Sequence, residues 1–106
     1  MSESERVSRI TLALLHDLKK PEEWWWLSFA GDDGRWLGVA VVRATGMSWA
    51  IRRTHELGIN PGGEVRAAPI PHPTDPPAAL VDRLIADKEE LDRLTREWTG
   101  EGLARL

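Results

Sequence analysis

At 106 residues with a net charge of −3 and no cysteine, the chain is sized for one domain and has no disulfide, thiolate metal site or cysteine nucleophile. The acidic balance argues against a general phosphate-backbone binder, so a nucleic-acid partner is not expected. A mean hydropathy of −0.37 fits a folded domain rather than a disordered one.

Residues 1–6 are polar and acidic, unlike a signal peptide, and no apolar run approaches bilayer length. No membrane partner is expected, and the expected compartment is the cytoplasm. Val7, Ile10, Leu14, Leu15 and Leu18 then recur at helical spacing, which predicts an amphipathic helix over 4–20, closed by Pro21.

Next come two β-rich runs, Trp24 to Ala30 and Trp36 to Val42, separated by Gly31-Asp32-Asp33-Gly34. They read as a β-hairpin with a tip longer than two residues. Side chains alternate faces along a strand. Trp25, Leu27 and Phe29, grouped with Leu37, Val39 and Val41, read as ordinary core. Trp24 and Trp26, grouped with Trp36, Gly38, Ala40 and Val42, set large indoles beside small residues. That second face reads as a surface made to be covered by a helix of the chain, a second copy or a ligand.

A helix is expected from Met47 to Leu57, capped by Thr45 or Gly46, with Met47, Ala50, Ile51 and Thr54 inward and Gly58 as the left-handed residue that ends it. Asn60-Pro61-Gly62-Gly63 is a turn, and Glu64 to Ala68 a third strand ending at Pro69. Residues 72–77 form a proline-rich strap. A C-terminal helix is predicted over 78–99, capped by Asp75 and followed by a frayed tail over 100–106. Its apolar seam is interrupted at Asp87, which with Glu90 reads as a helix break and restart in preference to a buried general acid. The expected fold is α+β in the order α-β-β-α-β-α. It forms one domain over 1–106 with a 23–71 core, a small antiparallel or mixed sheet, and helices packed on it.

The combination Trp26-Leu27-Ser28-Phe29, Leu37-Gly38-Val39 and Leu57-Gly58-Ile59-Asn60-Pro61-Gly62-Gly63-Glu64-Val65 resembles a group of short proteins from actinobacteria and their phages. The resemblance implies that hairpin, helix and Pro-Gly-Gly turn form one recurring unit. It implies no catalytic residue.

For chemistry, His16, His55 and His72 fall in three different elements with no second ligand at metal spacing, so no metal or other cofactor is expected. Ser28 and Thr45 lack a nucleophile elbow. The informative residues are of two kinds. Trp24, Trp26 and Trp36 read as an indole platform of the sort that stacks bases or anchors protein partners. The Asn60, Gly62 and Gly63 turn, with Arg52, Arg53 and Arg66 near in sequence, reads either as an anion nest or as a tight connection that needs glycine sterically. Together they favour a non-enzymatic, homo-oligomeric module that holds a small nucleotide-like anion. An adaptor that uses the tryptophans and the proline strap is the second reading. A small acid–base enzyme using His55 or His72 is the third.

Overall fold

The computed structural model of the protein describes residues 21–70 and 75–100. The helix expected over 4–20, the first half of the proline strap, the tail beyond Gly100, and His16 and His72 lie outside the described residues. The fold is α+β: strands β1 (Glu23–Ala30) and β2 (Trp36–Ala44), helix α1 (Met47–Glu56), strand β3 (Glu64–Pro69), a 3-10 turn (Ala78–Leu80), strand β4 (Leu84–Ile85) and helix α2 (Lys88–Thr99). The sheet order is β3-β1-β2-β4, and every neighbouring pair is antiparallel. β2 and β3 therefore run the same way on either side of β1, and α1 is the crossover between them.

The hairpin turns at Gly31–Arg35, where Gly31 N–H donates to Arg35 C=O and Gly34 N–H to Gly31 C=O. Its register corrects the expected grouping of faces. Trp25 pairs with Val42, Leu27 with Ala40 and Phe29 with Gly38, whereas Trp26 pairs with Val41 and Ser28 with Val39. Val39 and Val41 thus share the indole face, while Ala40 and Val42 join Leu27 and Phe29. The cause is a bulge between Phe29 and Ala30, which returns Trp36 to the indole face opposite Ala30. Leu37 packs with the Leu27 and Phe29 cluster.

Each face of the hairpin carries a helix of the same chain. On one side Leu27, Phe29, Ala40, Val42 and Ala44 bury against Ala50 of α1. On the other, Val39, Val41, Leu80 and Ile85 bury against Leu91, Leu94 and Trp98 of α2, with Trp24, Trp26 and Trp36 packed around them. The expected homo-oligomer rested on a shortage of elements to cover the second face, and α2 supplies one.

α1 starts at Gly46 and closes as expected. Gly58 sits at φ 69, its N–H donates to His55 C=O, and Ile59 N–H donates to Thr54 C=O, the paired bonds of a Schellman cap. Ala50 and Thr54 are buried, but Met47, expected on the inner stripe, is 52% exposed. Met47 is the first residue of the helix.

The C-terminal helix is shorter than expected, and the stretch before it is not helical. Asp75 does not cap a helix; its carboxylate accepts from the Trp24 indole N–H at 3.0 Å. Val81 bridges Val41, Asp82 takes a left-handed φ of 58, and Leu84–Ile85 pair with Ala40 and Val39 as β4. The apolar spacing of Leu80 and Leu84 suits a helix, but the open edge of β2 captures this stretch instead. Asp87 is where α2 begins: its side chain accepts from Glu89 N–H at 2.9 Å. Glu90 does not complete a capping box, because it pairs with Arg83 at 3.1 Å. Leu91, Leu94, Thr95 and Trp98 then form one buried stripe at i, i+3, i+4 and i+7. Asp87→Ala is expected to lower stability by about 1 kcal/mol through loss of this cap, read as a shift in urea midpoint. An unchanged midpoint would mean that the sheet contacts alone set where the helix starts.

Candidate functional site

Charged and aromatic side chains converge where β1 begins, β2 ends and α1 passes. A cleft of about 470 Å³ opens there, lined by Trp24, Arg43, Trp49, Arg52 and Arg53 together with Glu22, Glu56 and Asp82. Strand pairing and helix spacing explain the positions. Trp24 and Arg43 are cross-strand partners on the indole face, so the guanidinium lies 5.8 Å from the indole centroid. Trp49 and Arg52 are three apart on α1, which places them side by side, and the Arg52 guanidinium sits 5.3 Å from that ring. Arg53 reaches the strained Asp82 across the cleft at 3.3 Å.

The electrostatics are balanced. Arg43 pairs with Glu22 at 3.2 Å, Arg52 with Glu56 at 3.0 Å and Arg53 with Asp82 at 3.3 Å. Their side chains are largely exposed, 57% and 55% for the first pair and 63% and 55% for the second. Pairs this wet contribute only about 0.2–1 kcal/mol each, so separating a carboxylate from its guanidinium costs little. Two of the guanidiniums also lie over an indole, a contact of about 0.5–1 kcal/mol at exposed sites.

The residues singled out from sequence fall into separate places. Trp24, Arg52 and Arg53 line the cleft. Trp26 is half-buried in the α2 core between Val41 and Ala68. Trp36 lies at the other end of the sheet with Lys88 5.4 Å over its ring, beside a shallow recess of about 320 Å³ that Ser28, Glu64 and Arg66 also line. Arg66 is itself on β3, loosely paired with Glu64 at 3.9 Å. Asn60, Gly62 and Gly63 form the α1–β3 connection. Asn60 donates to Thr54 Oγ1 at 3.0 Å and accepts from Gly62 N–H at 2.8 Å. The two glycines share one hand, φ 84 and 74, rather than the alternating hands of a nest, and a Cβ on Gly63 would overlap the Ala30 carbonyl. The turn is a tight connection.

Sequence reasoning missed Arg43, Trp49, Glu22 and Asp82. The Trp49–Arg52 spacing on one helix was a usable signal, but Arg43 and Asp82 reach the cleft only through strand register. Among the described residues no cluster of three or more His, Asp or Glu side chains is placed to hold a metal ion, and no helix is long and apolar enough to cross a membrane. A scan of protein-family models and searches of curated proteins and solved structures give no match for the chain.

Proposed function

We propose that the protein is a non-enzymatic binding module that holds a small, anionic, nucleotide-like ligand in the cleft between β1, β2 and α1. The observation that carries this reading is the convergence of Arg43, Arg52 and Arg53 with the indoles of Trp24 and Trp49 on one open space. A phosphate recruits guanidinium groups in fork geometry, and each guanidinium that leaves an indole frees a flat surface for a base. The cleft replaces the dispersed set expected from sequence: Trp24, Arg52 and Arg53 stay, and Arg43 and Trp49 take the places of Trp26, Trp36 and Arg66.

Calorimetry of the protein against mono-, di- and cyclic nucleotides tests this. Binding tighter than about 1 mM is expected for at least one member, since that threshold corresponds to only about 4 kcal/mol. Arg52→Ala is expected to cost ~1.5–3 kcal/mol of that affinity through a lost charge-assisted hydrogen bond. Trp49→Ala is expected to cost ~1–3 kcal/mol through lost stacking. Trp36→Ala, at the far end of the sheet, is expected to leave binding unchanged. If no nucleotide binds more tightly than millimolar and Arg52→Ala is silent, the ligand reading fails.

A second reading, a protein-interaction adaptor, is favoured by one specific feature. The cleft is neutral in sum, and the two ends of the α1 segment, Met47 and its C-cap Leu57, are exposed at 52% and 37%. Neutral, Trp- and Arg-rich ground on a surface that also exposes apolar side chains is typical of protein interfaces.

A further inference from the structure

The outer edge of β3 is the second surface with a legible use. In an antiparallel ladder, alternate residues direct both backbone groups toward the same neighbour. Ile70 N–H donates to Trp24 C=O at 2.8 Å, and the register continues as Trp26 with Ala68, Ser28 with Arg66 and Ala30 with Glu64. The even-numbered residues of β3 therefore face β1. Val65 and Ala67 direct N–H and C=O outward, Pro69 directs only its carbonyl, and among the described residues no strand pairs with that edge. An open edge of this kind is a template for a further strand.

We propose that the β3 edge pairs antiparallel with the same edge of a second copy of the chain, about a two-fold axis at Val65. The choice of partner comes from charge order. Glu64 and Arg66 flank Val65 on one face of the strand, are 69% and 86% exposed at the side chain, and hold each other only loosely at 3.9 Å. With the axis at Val65, Glu64 stands opposite Arg66 of the partner subunit, and the reverse, in the closely spaced non-hydrogen-bonded positions where cross-strand charges interact best. The two Val65 residues exchange both backbone hydrogen bonds, and Ala67 N–H meets the Gly63 carbonyl of the partner subunit. Pro69, which lacks a donor, stays outside the ladder.

The neighbouring registers are worse. An axis at Arg66 sets two guanidiniums face to face. An axis at Ala67 leaves Glu64 and Arg66 without opposite charges and brings Pro69 into the ladder. The charges that blunt an edge strand against foreign strands thus select one self-pairing. The product is an eight-stranded sheet continuous through two copies, with the two clefts at opposite strand ends.

Charge reversal on the full-length protein tests this by sedimentation at concentrations from about 10 to 500 μM, with circular dichroism confirming the fold. The parent is expected to dimerise in that range. Glu64→Arg and Arg66→Glu each place like charges at both symmetry-related contacts and are expected to weaken the dimer about tenfold or more. The double reversal, E64R with R66E, restores opposite charges and is expected to return the parent affinity within about threefold. Three results overturn the proposal: a parent that stays monomeric up to 500 μM, a single reversal that dimerises like the parent, or a folded double reversal that remains dissociated. None of these variants touches the Arg52 cleft, so the outcome is independent of nucleotide binding.

Discussion

Gly63→Ala is expected to cost about 3 kcal/mol or more, whereas the same change at the adjacent Gly62 costs about 1 kcal/mol. Both residues hold left-handed φ values, 74 and 84, and each asks a non-glycine side chain to accept that backbone strain. Only Gly63 adds a collision. A Cβ there would overlap the Ala30 carbonyl oxygen and crowd the Gly31 Cα, whereas at Gly62 it would meet open space. Ala30 pairs with Glu64 on one side and Trp36 on the other, so a displaced Ala30 disturbs two strand pairings at once. Relieving the overlap means moving backbone, which side-chain adjustment cannot do. Denaturant midpoints at constant m-value measure both losses. Equal losses at the two positions would show that the Ala30 contact relaxes freely.

Much of the fold was legible because its punctuation is local. Pro21, the Gly31 to Gly34 tip, Gly58 and the Asn60-Pro61-Gly62-Gly63 turn mark the ends of β1, β2 and α1, and the structure places the elements between them. Strand register was not legible. The bulge between Phe29 and Ala30 inserts one residue, and period-two alternation carries no sign of it. That single residue decided which side chains share the indole face. β4 was hidden for a different reason. Leu80, Leu84, Leu91 and Leu94 keep helical spacing, but Leu84 and Ile85 gain more by pairing with Ala40 and Val39 at an unfilled edge than by extending α2. The candidate site suffered from the same blindness. Arg52 and Arg53 stood out by charge. Arg43 reaches Trp24 across the hairpin and Asp82 reaches Arg53 from a left-handed turn, and neither contact has a sequence signature.

Trp98→Ala is expected to be the most damaging single truncation on the α2 side. Trp98 is 7% exposed at the end of the stripe that includes Leu91 and Leu94, and its cluster holds Val39 and Val41 of β2 with Trp24, Trp26 and Trp36 around it. Removing a buried indole costs about 3–5 kcal/mol, because the cavity left behind does not collapse fully. Against the ~5–15 kcal/mol that typically holds a domain together, that is a large share. At about 4–8 °C per kcal/mol for a domain near this size, the melting temperature should fall by at least about 12 °C. The remaining indoles give a second readout. If α2 is what covers the face bearing Trp24, Trp26 and Trp36, loosening it exposes them, and tryptophan emission should move to the red before the main unfolding transition. Trp49→Ala is the control: Trp49 is half-buried on α1 and packs against the opposite core, so its loss leaves α2 seated. A Trp98→Ala protein that melts within a few degrees of the parent, with unshifted emission, would mean that the indole face is held by something other than α2.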